Sequence, residues 1–142
     1  MQKCIQYLED KIQDIESYMK LISESAVQES KSSAGDKHET SRAMMHLELE
    51  KNGNILKELQ NKKKLLTNII LSDKNEEVRK GSLINTDKGI FFITIAIGKM
   101  EFENQSIQVI ADSSPIGKMF LGKNKGDTVE FNGQKFMIEN IQ

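Results

Sequence analysis

Apolar residues in the first half of the chain recur every three or four positions. Ile5, Leu8, Ile12, Ile15, Met19, Ile22 and Ala26 form one unbroken seam, and Met45, Leu49, Leu56, Leu59, Leu66 and Ile70 form a second. A helix with so narrow a stripe buries it against one partner helix, so each seam predicts a long amphipathic helix. Asn52 and Lys63 interrupt the second seam. Polar residues at such positions fix register at some cost in stability. Gly53 weakens the same helix locally, by about 1 kcal/mol relative to alanine. Between the seams lies SKSSAGDK, residues 30–37, whose serines and glycine predict a loop. A short loop between long helices makes them antiparallel neighbours. A helix over residues 2–30 would be about 42 Å long, so the loop is expected at the tip of a projecting rod.

The second half changes period. GIFFITIAIG (89–98) and SIQVIA (106–111) are β-branched and aromatic runs and predict strands. TVEF and QKFMIENI (128–141) are joined by Asn132-Gly133, a strong hairpin signal because both turn positions need positive φ. SSPIGKMFLG predicts a short helix, with Ser114 as N-cap, Pro115 at the first helical position and Gly122 just past the end. The charged segment 72–82 is expected to be a linker. The fold class is therefore α+β: an antiparallel coiled-coil hairpin over residues 1–75 with its tip near 33–40, then a small antiparallel β domain with one short helix over 76–142.

Charge and composition narrow the partners. The 142 residues carry a net charge of −1, so no overall basic field drives binding to nucleic acid. Cys4 is the lone cysteine, which excludes an internal disulfide and agrees with a reducing cytoplasm. No apolar run reaches membrane length, and the amphipathic start is expected to be neither a signal peptide nor an anchor.

The loop raises the chemical question, because Asp36 and Glu39 stand at its end. One reading is a capping box, in which Asp36 accepts a first-turn N–H and Glu39 reaches back to the Asp36 N–H. The other is a pair of hard oxygen donors on one helix face, suited to Mg²⁺ but needing further ligands from outside. Both readings use the same spacing. His38 and His46 lack the i, i+4 spacing of a zinc site, and Lys62-Lys63-Lys64 predicts a solvated helix face. Met44-Met45 is expected to pack near the tip or to form a contact surface. No nucleophile–base constellation and no phosphate-cradling glycine loop is present, so nothing points to an independent enzyme.

The stretch 107–141 resembles the C-terminal domain of the bacterial Gre transcript-cleavage factors. The resemblance is carried by Ser114, Pro115, Ile116, Gly117, Lys118, Leu121, Gly122, Lys123, Gly126 and Asp127, and at the tip by Gly35, Asp36 and Glu39. The chain departs from the family pattern at Lys37-His38 between the acids, at Thr40, and at Ala43, where a tyrosine is common. The resemblance implies an FKBP-like C-terminal domain that docks at the secondary channel of RNA polymerase, with Ser114, Pro115, Ile116, Gly117, Lys118 and Gly122 in the binding region. It implies that Asp36 and Glu39 enter the polymerase active site and help hold a Mg²⁺ there, so that backtracked RNA is cut by the polymerase itself. It further implies no stably bound cofactor, indirect access to the nascent RNA 3′ end, a monomer, no membrane, and a cytoplasmic location. Two alternatives stay open: a channel regulator that inhibits or modulates without cleavage, and a coiled-coil adaptor or chaperone.

Overall fold

A computed structural model describes residues 1–30, 36–69 and 76–142; the side chains of residues 28–30 and 36–38 lie outside the description. Residues 31–35 of the loop expected at 30–37, Ile70 and the linker residues 72–75 therefore fall outside it; Ser30 and residues 36–37 belong to helices instead. The chain divides into two units, Met1–Lys64 and Leu65–Gln142.

Helix α1 spans Gln2–Ser30 and helix α2 spans Asp36–Thr67, so the last turn of α2 is counted with the second unit. Every described residue of both predicted seams is buried or half-buried, while the positions between are mostly exposed. Lys63 Nζ meets Glu9 Oε1 at 2.7 Å. A Cβ placed on Gly53 would lie 3.9 Å from Met19 Cε. The ten-residue step from Glu9 to Met19 is thus matched by a ten-residue step back from Lys63 to Gly53, which makes the helices antiparallel. Lys63 ties the register across the seam. Asn52 does not, contrary to expectation: it is buried, but its Nδ2 donates to the Glu48 carbonyl at 2.7 Å and to Glu48 Oε1 at 3.1 Å, both in its own helix.

The space beside Gly53 yields a test. A methyl there makes only an ordinary van der Waals contact with Met19. Gly53→Ala is therefore expected to stabilise the hairpin by about 1 kcal/mol through reduced backbone entropy of the unfolded chain. Urea unfolding followed by helical circular dichroism should show a higher midpoint; a lower one would mean that α2 needs the glycine.

The second unit is a six-stranded sheet with helix α3, Pro115–Phe120. Its strands are β1 Leu83–Thr86, β2 Gly89–Thr94, β3 Gly98–Phe102, β4 Gln105–Ala111, β5 Thr128–Phe131 and β6 Gln134–Ile141, in the order β3-β4-β2-β1-β6-β5. The α+β class is as expected, but the sheet is mixed rather than antiparallel throughout. β4 lies parallel to β2, with Phe92 opposite Val109. The cause is a break in the apolar run 89–98. β2 ends at Thr94, Gly98 (φ +102°) opens β3 at the sheet edge, and β4 returns between β3 and β2.

Segment 76–82 is also corrected, because it belongs to the β unit and not to a linker. Val78 is buried; its N–H donates to the Lys123 carbonyl at 2.7 Å and its carbonyl accepts from Gly122 N–H at 2.8 Å. The core forms on one sheet face from Ile84, Phe91, Ile93, Val129, Phe136 and Ile138, closed by Phe120 of α3 and by Val78. Phe91 and Phe120 have ring centroids 5.0 Å apart, and Phe91 meets Phe136 edge-on at 5.5 Å.

Candidate functional site

Two places hold the residues singled out from the sequence. The first is the turn of the hairpin. Asp36 is the first residue of α2, and the register carried on from Glu9–Lys63 and Met19–Gly53 sets Ser30, the end of α1, level with Arg42, so α2 begins beyond the end of α1. Glu39 lies in the first turn of α2 and is exposed. The side chains of Asp36, Lys37 and His38 are outside the described residues, so the capping-box geometry is too. Among the described residues no three His, Cys, Asp or Glu side chains gather as a metal site. The donor chemistry nonetheless fits a shared site: carboxylates at a helix N-terminus supply hard oxygens but too few to enclose Mg²⁺. An exposed Glu39 is open to a centre that brings the remaining ligands.

Neighbouring residues resolve into separate roles. Met45 enters the seam, whereas Met44 is 64% exposed. His46 is exposed. The lysine run is a helix face engaged with carboxylates: Lys62 pairs with Glu58 at 2.8 Å and Lys63 with Glu9. The Lys62 ammonium beside Glu58 lowers that carboxyl. Cys4 is buried, and burial pushes its thiol up, away from the reactive thiolate.

The second place is the start of α3. Ser114 Oγ accepts from Gly117 N–H at 3.1 Å and donates to the Ala111 carbonyl at 2.6 Å, so one hydroxyl caps the helix and anchors it to the end of β4. Pro115 takes the first helical position, as expected. Gly117 is buried, and a Cβ there would collide with the Ala111 carbonyl oxygen. Gly122, at φ +73°, turns the chain so that its N–H reaches Val78. Ile116 packs on the core. Ser114, Ile116, Gly117 and Gly122 therefore build the fold, while Pro115 and Lys118 are exposed. Met119, which the sequence reading passed over, and Leu121 of the signature run are exposed at 40% and 37% beside Lys118. Large apolar residues on either side of the buried Phe120 were the available signal.

No helix among the described residues is long and apolar enough to cross a membrane. No protein-family model matches the sequence, and no curated protein matches it. Among solved structures, the chain is similar to GreA factor homolog 1 (Gfh1) of Thermus thermophilus at 16% identity and a TM-score of 0.37, covering 97% of this chain and 94% of that one. A second structure, of the transcription factor Gfh1, is similar at 17% identity and a TM-score of 0.38, covering 96% and 92%.

Proposed function

We propose that this chain binds RNA polymerase through its secondary channel and stimulates the polymerase's own cleavage of backtracked RNA. The observation that carries the reading is the placement of Asp36 and Glu39 at the turn of an antiparallel hairpin, with Glu39 exposed. Further support comes from the Gre-like residues 114–127 in the other unit.

The chain is an accessory factor and not itself the enzyme. Its hairpin delivers two carboxylates, and its β unit docks. Asp36 and Glu39 add negative oxygens to the polymerase site and orient a water there. The Mg²⁺ of that site, when bound, stabilises attacking and leaving oxygens. The helix N-terminus holds both acids on one face, so their spacing is set before entry. The chain keeps no cofactor of its own, and it meets the nascent RNA 3′ end only inside the polymerase. A second reading, a channel regulator without cleavage, is favoured by Lys37-His38 between the acids and by Ala43.

Docking is assigned to the exposed residues of α3. Lys118→Glu reverses a charge on that surface and is expected to weaken binding of the full chain to core polymerase about tenfold or more. Glu39→Gln should leave binding unchanged. A titration that finds Lys118→Glu silent would remove α3 from the interface.

A further inference from the structure

One side of the hairpin carries large apolar residues that its own seam does not use. Tyr7 and Tyr18 of α1 are 39% and 47% exposed, and Ile55 of α2 is 38% exposed. Their positions are ordered. Tyr7, Lys11, Asp14 and Tyr18 each stand one residue before a seam position, namely Leu8, Ile12, Ile15 and Met19. Ile55, Glu58 and Lys62 each stand one residue before Leu56, Leu59 and Lys63. One residue back is a turn of about 100° on a helix. Because the helices are antiparallel, the same turn from each seam leads to the same side of the pair. Two stripes therefore run side by side.

The α1 stripe reads apolar, positive, negative, apolar, with steps of four, three and four residues. Reversed, the steps are unchanged and the charges exchange places. A second copy laid antiparallel over this stripe, about a two-fold axis midway between Lys11 and Asp14, sets Tyr7 over Tyr18 and Lys11 over Asp14. The register given by Glu9–Lys63 and Met19–Gly53 places that axis level with the gap between Glu58 and Lys62. The same axis therefore sets Glu58 over Lys62. The coincidence of the two centres is what a two-fold contact requires.

We propose that this side of the hairpin binds a second copy of the chain, antiparallel, in a four-helix contact. The overlap is about 30 Å long and about 20 Å wide, roughly 600 Å² per chain, at the lower end of specific interfaces. The dimer is therefore reversible. It occupies the flank of the hairpin, so a paired chain holds its hairpin back from any other partner. This goes beyond the proposed function, and its test needs no polymerase, so the two fail separately.

The test is sedimentation equilibrium of the full chain from about 1 to about 200 μM, a range that spans weak, reversible pairing. The unmodified chain is expected to pass from one to two chains in mass. Lys11→Asp or Asp14→Lys alone sets like charges against each other twice per dimer and lowers association at least about tenfold. An equimolar mixture of the two variants rebuilds every opposite pair and should associate again. An unmodified chain that stays single at the highest concentration, or a mixture no more associated than its components, overturns the proposal.

Discussion

Asp36→Asn and Glu39→Gln are expected to preserve the hairpin while removing most of the cleavage stimulation. Asparagine caps a helix about as well as aspartate, and glutamine completes a capping box as glutamate does. Neither change disturbs the start of α2. Both remove an anionic oxygen donor, and Mg²⁺ relies on charged oxygens. The loss should be about ten- to hundredfold, the range produced when a group supporting a bound metal is removed. Raising Mg²⁺ should restore part of the rate by mass action. Because the two acids act as one unit, the double variant should be little worse than either single one. Wild-type stimulation from both isosteric variants would reduce the pair to a helix cap.

Phe120→Ala is expected to produce the largest loss of stability. Phe120 is fully buried and touches both Phe91 and Phe136. It is the side chain through which a six-residue helix closes the sheet core. Truncating such a ring costs about 3 to 5 kcal/mol, as lost transfer energy plus the cavity left behind. A unit of about 80 residues has roughly 4 to 12 kcal/mol in total. The variant should lose about 15 °C or more in Tm. The chain has no tryptophan, and both its tyrosines, Tyr7 and Tyr18, lie on α1. The readout is therefore amide hydrogen exchange at Val78 and Ile138, whose N–H groups donate to Lys123 and Asp127. Unchanged protection at those amides would contradict the role given to Phe120.

The parts of the fold legible in the sequence are those with a repeating physical cause. Both seams could be read because burial against one partner repeats along a helix. The Asn132-Gly133 turn could be read because its residues favour the positive φ they adopt, +49° and +76°. Glu103 and Asn104 adopt similar angles, +47° and +64°, without a glycine, so the β3–β4 turn was not signalled. β1 and β3 are short, and β3 lies at an edge with mostly exposed residues, which gives no alternation to detect. The parallel β2–β4 pairing depends on which strand reaches which neighbour, and no local pattern encodes that. Val78 looked like linker because a single apolar residue among charges has no period. It is held by backbone bonds to the turn after α3.

The candidate site was legible as chemistry and not as a choice. Asp36 and Glu39 stand out by spacing, but one geometry serves cap and metal alike. In residues 114–122 the helix ends were legible, because Ser114, Pro115 and Gly122 stand where such ends favour them, while the need for Gly117 was not. Gly117 read as a signature position and turns out to be required by a close backbone approach, while Gly122 makes the left-handed turn expected of a residue past the helix end. Pro115, Lys118 and Met119 are the residues of α3 left exposed.

The most direct measurement is made on a stalled, backtracked elongation complex of the matching polymerase, with the RNA labelled at its 5′ end. Adding the unmodified chain with Mg²⁺ should shorten the RNA from its 3′ end faster than the polymerase does alone. The shortened RNA should extend again when nucleotides are supplied. RNA that keeps its length while the chain is bound would contradict a role in cleavage and favour the channel regulator.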